Sequence, residues 1–175
     1  MQNDPQLALT GKTVLITGAA RRIGAAIARK LHEAGANLVL HYRSSSDEAS
    51  ALAASLDEAR RGSVATVQGD LLQTARLPQL VRSASQAFGQ LDVLINNAST
   101  FYPTPVGEIT EQAWDDLLGT NLKAPLFLSQ AAAPALRLTH GLVLNIVDIH
   151  GMRPLRRYPV YSVAKAGLIM LTPLP

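Results

Sequence analysis

Thr13-Val-Leu-Ile-Thr17 runs directly into Gly18-Ala19-Ala20-Arg21-Arg22-Ile23-Gly24, and an alanine-rich stretch, Ile23–Ala34, follows. The first part is a short β-branched run, the second a turn built of small residues, the third a helix opening. A strand that turns through glycine straight into a helix places several free backbone amides at a helix N-terminus. Such an end attracts anions, because its amides are unpaired and its dipole is positive. Gly18 permits the tight turn, Ala19 and Ala20 let the backbone come close to a phosphate, and Gly24 allows the helix to press on the strand. The spacing departs from G-x-G-x-x-G, since Arg22 stands where a glycine is usual.

Four more runs of the same kind follow: Asn37–His41, Val64–Gln68, Asp92–Asn96 and Leu142–Val147. They are nearly continuously apolar, as parallel strands buried on both faces are. The first four starts, at Thr13, Asn37, Val64 and Asp92, are spaced 24, 27 and 28 residues. That is the length of a strand plus a crossover helix. Helices are expected over Ile23–Ala34, Asp47–Arg61, Leu77–Phe88 and Glu111–Leu136, the last bent or ended by Pro125 and Pro134. Strand–helix alternation implies a parallel sheet with right-handed crossovers and helices on both faces, here as one domain over 1–175. Ligands of such sheets bind beyond the carboxyl ends of the strands.

Composition narrows the function classes. The 175 residues are 47% hydrophobic and 17% charged, a globular balance. There is no cysteine, so disulfides, thiolate nucleophiles and cysteine ligation are excluded, and the cytoplasm is the expected compartment. No apolar run approaches the ~18 residues of a membrane span, and the segment Met1–Thr10 carries no signal-peptide pattern. The net charge is +3, with arginine pairs scattered at Arg21-Arg22, Arg60-Arg61 and Arg156-Arg157. Nucleic-acid binding wants a clustered patch, so no such role is expected. His32, His41, His140 and His150 lack metal-ligand spacing. His32 and His140 read as surface or loop histidines.

The strand ends carry the chemistry. His41-Tyr42-Arg43-Ser44 follows the second run, where an acidic residue would hold a ribose 2′-hydroxyl. An arginine with hydroxyls suits a 2′-phosphate instead, and Arg21 or Arg22 would add a second cation. Ser45 or Ser46 reads as a helix cap before Asp47. Asp70-Leu71 and Asn96-Asn97-Ala98-Ser99 follow the third and fourth runs; they suit an adenosine, or simply tie strand ends together. Tyr161-Ser-Val-Ala-Lys165 places a phenol and an ammonium at i and i+4, on one helix face. A neighbouring cation favours phenolate, which would lower the tyrosine pKa and make it a usable acid or base.

In order and context, the strand-1 loop, Asn96-Asn97-Ala98 and Tyr161-x3-Lys165 resemble the short-chain dehydrogenase/reductase family, from about Lys12 to Leu171. The resemblance implies a Rossmann-type, doubly wound α/β fold of three layers. It implies a nicotinamide dinucleotide, here NADPH, held by Gly18, Arg22, Ile23, Gly24, His41, Tyr42, Arg43, Ser44, Asp70, Leu71, Asn97, Ala98 and Ser99 together with Tyr161 and Lys165. Asn121 would join Tyr161 and Lys165 in a proton relay through water, and Lys165 would also hold the nicotinamide ribose.

The departures resemble one branch, the pteridine reductases. Asp148 stands 13 residues before Tyr161, where the wider family has a serine. Arg22, His41–Ser44 and Ser99-Thr100-Phe101-Tyr102-Pro103 agree with that branch. There Phe101 would stack a pterin on the nicotinamide, Ser99 would touch pterin or cofactor, and Asp148 would pass a proton to Tyr161. Reducing a C=N bond needs hydride on carbon and a proton on nitrogen, and a carboxyl beside a phenol can resupply that proton. The expected activity is NADPH-dependent reduction of dihydrobiopterin, dihydromonapterin or dihydrofolate. The rivals are a short-chain carbonyl reductase and a dinucleotide-binding remnant without turnover. Family members are usually tetramers, so a homo-oligomer is implied. The family also continues past the tyrosine helix with two strands and a covering loop. In Leu171-Thr-Pro173-Leu-Pro175 a proline stops that helix. The expectation is a sheet lacking the last family strands, an open edge at Leu142–Val147, low stability and little turnover.

Overall fold

A computed structural model describes residues 8–172, so Pro173 and its expected stop lie outside the described residues. Five parallel strands form one sheet: β1 (Thr13–Ile16), β2 (Asn37–Tyr42), β3 (Val64–Gln68), β4 (Val93–Asn96) and β5 (Leu142–Asn145). The order is β3-β2-β1-β4-β5. Val14 lies between Leu38 on one side and Val93 on the other, and Asn96 is level with Asn145. The chain winds outward from β1 to β3, then returns to β4 on the far side of β1. A crevice therefore opens at the carboxyl ends of β1 and β4, where the crossovers part in opposite directions. The parallel α/β sheet that the alternating pattern predicts is present, in the Rossmann-type arrangement that the family resemblance implies.

Among the described residues, the α-helices are α1 (Arg22–Glu33), α2 (Ser46–Ala59), α3 (Leu77–Phe88), α4 (Glu111–Leu118), α5 (Ala124–Thr139) and α6 (Pro159–Leu171). Two apolar layers sandwich the sheet. Val14, Ile16, Leu38 and Leu40 meet Ala28, Leu52 and Leu56 of α1 and α2 on one face. Leu15, Val39 and Leu94 meet Leu80, Ala84, Leu128 and Ala132 of α3 and α5 on the other. Consecutive strand residues thus feed opposite cores, which is why these runs have no polar alternation.

Several sequence expectations need correction. The helix expected over Glu111–Leu136 is two helices joined by a π-helical turn, Gly119–Lys123. Pro125 sits in the first turn of α5, where its missing amide costs no hydrogen bond. Pro134 is inside α5 but does not end it; the helix runs on to Thr139 and closes at left-handed His140. Burial on both faces holds for β1 and most of β2, not for the sheet edges. In β5, Leu142 and Leu144 are exposed because only β4 flanks that strand. His32 is not a surface histidine: it is buried in α1 and shares a 2.8 Å hydrogen bond with Ser63. Ser45 is the N-cap of α2, yet its side chain makes no capping bond. Among the described residues, no helix is long and apolar enough to cross a membrane.

Candidate functional site

A cleft of about 400 Å³ opens at the crevice. It is lined by the β1–α1 turn (Gly18 and Ala20 to Gly24), the end of β2 with its loop (His41 to Ser45), Asp70 and Leu71 beyond β3, and Asn97 to Thr100 beyond β4. Its floor is tightly built. Gly18 has φ +61°, and a Cβ there would lie 3.0 Å from the Ala98 Cα. A Cβ on Gly24 would run into the Gly18 carbonyl and approach Asn97 Nδ2 to 2.7 Å. Arg22 adopts φ +50°, the left-handed region that a side chain normally avoids. A phosphate fits the free amides at the start of α1, and both glycines leave the close approach it needs.

Three polar residues, Asn97, Thr17 and His41, shape this floor through hydrogen bonds to the backbone. Asn97 Nδ2 donates to the carbonyls of Thr17 (2.8 Å) and Gly18 (3.0 Å), clamping the end of β4 to the turn. Thr17, which sequence reasoning left aside, accepts the amides of Asn97 and Ala98 on its hydroxyl. His41 is buried, and its Nδ1 accepts the Gly18 amide at 3.2 Å. The ring proton therefore sits on Nε2 and is donated to the Gly69 carbonyl at 3.1 Å. Burial holds this imidazole neutral, its pKa pushed down to about 4.

The rim of the cleft is cationic. Arg43 is exposed, and among the described residues no carboxylate pairs with it. Gln68 Nε2 donates to the Arg43 carbonyl at 3.1 Å, which steadies that loop. Of the two loop arginines, Arg21 meets Glu48 at 3.4 Å in an exposed pair, whereas Arg22 has no acidic partner among the described residues. Arg22, not Arg21, is thus the available second cation.

Beyond β5 lies the second half of the site. Tyr161 is buried in the first turn of α6, and its phenol donates to Asp148 Oδ2 at 2.8 Å. Asp148 Oδ1 accepts the His150 amide at 2.9 Å. Lys165, one turn on, is buried; its ammonium donates to the Ile146 carbonyl at 2.9 Å and lies 5.7 Å from the Tyr161 ring centre. The expectation that Lys165 lowers the Tyr161 pKa is overturned. Burial raises it above the ordinary tyrosine value, and the hydrogen bond to the Asp148 carboxylate with that group's negative charge raises it further. For Asp148, burial works upward, but the His150 amide, the Tyr161 phenol and the charges of His150 and Lys165 outweigh it; the carboxyl stays below its usual value. Burial lowers Lys165 below the ordinary lysine value, against a smaller upward effect of Asp148.

Asn121 bonds to Ser99, Thr100 and Leu117, not directly to Tyr161 or Lys165. It sits in the π-helical turn, a one-residue insertion of the kind that re-aims side chains at functional sites. Ser99 donates to Asn121 Oδ1 at 2.6 Å. Phe101 stacks on Tyr158, centres 4.5 Å apart and planes 8° off parallel, and meets Tyr161 edge-on at 4.8 Å. Phe101 remains 53% exposed, so one ring face is open. Tyr158 was missed in the sequence; an aromatic three residues ahead of Tyr161 is the signal that could have found it.

A parallel sheet with an anion-binding turn at its crevice and a Tyr–Lys helix beyond its fifth strand defines a dinucleotide-binding oxidoreductase. Residues 12–174 match the family described as short chain dehydrogenase, and the chain belongs to that family. Family membership implies a nicotinamide dinucleotide cofactor. The chain is 38% identical to pteridine reductase 1 of Leishmania tarentolae, with 93% of this chain and 70% of that protein aligned. It is 33% and 34% identical to uncharacterized oxidoreductases of Staphylococcus aureus strains USA300 and N315, with 94% of this chain and 70% of each of theirs aligned.

Proposed function

We propose that this chain reduces pterins with NADPH, its substrates being of the dihydrobiopterin, dihydromonapterin or dihydrofolate type. The observation that carries the reading is the Tyr161–Asp148 hydrogen bond beside the half-open ring of Phe101. The likeness to pteridine reductase 1 supports it. Bound in the cleft, the dinucleotide would supply the hydride that goes to a ring carbon. Gly18, Ile23, Gly24 and Ala98 shape its pyrophosphate seat. Arg43 and Ser44, with Arg22, take the ribose 2′-phosphate; His41 and Tyr42 frame that loop, and Asp70 and Leu71 border the adenosine. Lys165 holds the nicotinamide ribose.

Phe101 offers a flat face to a flat heterocycle, worth about 0.5–1.5 kcal/mol beyond burial. Tyr161 gives its proton to the ring nitrogen next to the reduced carbon. Asp148, partly open to solvent, takes a proton from water and returns it to the phenolate oxygen. A serine at 148 could polarise a carbonyl but could not store a proton, so the carboxylate favours a C=N bond over a ketone.

The test is NADPH oxidation by the protein with dihydrobiopterin, dihydrofolate, a quinone and a ketone side by side, repeated in Tyr161→Phe. Pterin-dependent oxidation that falls by 10²–10⁴ in the variant is expected. Oxidation by the ketone or quinone alone would establish a carbonyl reductase instead. Cofactor binding with no turnover on any substrate would establish a binding protein.

A further inference from the structure

We infer that Tyr102 and Asp116 are positioning residues for the substrate: the hydrogen bond between them fixes the Phe101 ring as a preformed wall for a flat heterocycle. The inference deepens the substrate reading proposed above and rests on it for its consequence in turnover. Phe101 belongs to the segment that leaves β4, and from Asn97 to Pro105 that segment forms neither helix nor strand. Pro103 and Pro105 have no amide to give. Among the described residues no hydrogen bond reaches the Phe101 backbone. The place of the ring is therefore set by its own ring contacts and by the residues on either side of it.

On one side, Asn121 Nδ2 donates to the Thr100 carbonyl at 3.0 Å. On the other, Tyr102 is half-buried against the cluster of Leu117, Val160 and Tyr161, and its phenol donates to Asp116 Oδ2 at 2.9 Å. Two residues further on, the Thr104 amide donates to the Arg157 carbonyl at 2.7 Å, beside Tyr158, the ring on which Phe101 stacks. The Tyr102 tether ties the segment to α4; the others tie it to the π-helical turn and to the approach to α6. A hydroxyl that donates to a carboxylate makes a bond about twice as strong as a neutral one, so the α4 tether is the firm one. Burial, with the hydrogen bond and charge of Asp116, pushes the Tyr102 phenol up to about 12, so it remains a donor at neutral pH. A wall ordered in advance spares the substrate the cost of ordering it, worth roughly 3- to 10-fold in affinity for one side chain. Without the Tyr102–Asp116 bond, Phe101 is free to swing off Tyr158 and must be ordered on binding. Tyr161 and Lys165 keep their own partners, Asp148 and the Ile146 carbonyl, so the steps after binding are spared.

The experiment reads the ring and the kinetics separately, both in the full chain. Tyr102→Phe and Asp116→Leu each remove the bond, whereas Asp116→Asn keeps an acceptor oxygen. In protein labelled with 4-fluorophenylalanine, the Phe101 resonance is assigned by its absence in Phe101→Leu. It should lie away from the free amino acid's position, displaced by the rings of Tyr158 and Tyr161, and move toward that position in both bond-free variants. The resonances of Phe88 and Phe127 should stay in place, and Asp116→Asn should keep the unmutated pattern. KM for the dihydropterin should rise roughly 3- to 10-fold in Tyr102→Phe and in Asp116→Leu, with kcat and cofactor affinity nearly unchanged. The double variant should add nothing to either single one, because both remove the same bond. A Phe101 resonance unmoved in both bond-free variants would overturn the inference. So would all three resonances moving together, or kcat and cofactor affinity falling along with KM, since a general loosening of the fold does that. If the unmutated protein turned over no pterin, the functional proposal would fall while the Phe101 resonance still decided whether this pair fixes the ring.

Discussion

A phenol that must give up a proton beside a carboxylate is a reluctant acid, and Tyr161 is in that position. The phenol's proton is held by the Asp148 carboxylate, so once Tyr161 has given it up, the pair is restored only after Asp148 has been loaded from water. Asp148 is held below the ordinary carboxylate value, so it is ionised at neutral pH and loads more often as the pH falls. Turnover of a dihydropterin is therefore expected to rise from pH 7 toward pH 5. Asp148→Asn should lower the rate and abolish that rise; an acid limb that persists in this variant would remove Asp148 from the relay. The second residue-scale expectation concerns Arg43, an exposed guanidinium without a carboxylate partner among the described residues. A charge-assisted bond to phosphate contributes about 1.5–3 kcal/mol, or roughly 10- to 100-fold in affinity. Arg43→Ala should weaken NADPH binding by that factor and leave NADH unchanged, read by quenching of Trp114 or by cofactor fluorescence. Residue types made this half of the site readable: only a few side chains take a phosphate or move a proton. The pKa direction was not readable, because i, i+4 spacing reveals Lys165 but not that Asp148 lies closer to the phenol oxygen.

At the scale of elements, the β1–α1 junction decides whether a cofactor can be held. Gly24 is buried at the first turn of α1, where the helix passes over the Gly18 carbonyl and the Asn97 amide. Gly24→Ala would push the helix off the turn and loosen the clamp that Asn97 makes to Thr17 and Gly18. Overpacking of this kind costs about 1–3 kcal/mol. The expected result is a lower unfolding midpoint in urea and weaker binding of both NADPH and NADH; unchanged binding of both would mean that the turn tolerates the shift. The junction was legible because glycine, helix start and strand end occur together within twelve residues. The π-helical turn was not. Glu111–Leu136 reads as one periodic stretch, and a single inserted residue leaves the apolar pattern nearly intact while rotating everything after it by about a third of a turn. Prolines misled for the opposite reason: Pro125 falls in a first turn that tolerates it, and α5 absorbs Pro134 on its exposed side.

At the scale of the whole molecule, the continuous apolar runs revealed a parallel sheet, but they could not say which strands would be edges. β3 and β5 have one neighbour each, and their exposure is a property of the strand order rather than of their own residues. His41 belongs to this scale, since it joins three strand ends: it sits on β2, accepts from Gly18 after β1 and donates to Gly69 after β3. Protonation would deprive the Gly18 amide of its acceptor and place a charge in the core. The folded pKa is about 4 against 6.5 for the free side chain. The unfolded chain therefore binds more protons between those values, and stability must fall with pH across that interval. The contribution is complete above pH 6.5, declines through the window and is gone below pH 4, a total of about 3 kcal/mol. His41→Asn removes the titration while leaving an oxygen that can accept from Gly18. The variant should be less stable than the unmutated protein at pH 7.5, and the gap should close as the pH is lowered toward 4.5, measured by urea unfolding at each pH. Carboxylates elsewhere titrate equally in both proteins and cancel in the difference. Two stability curves that run parallel over the whole range would show that the histidine is not the element that acid releases.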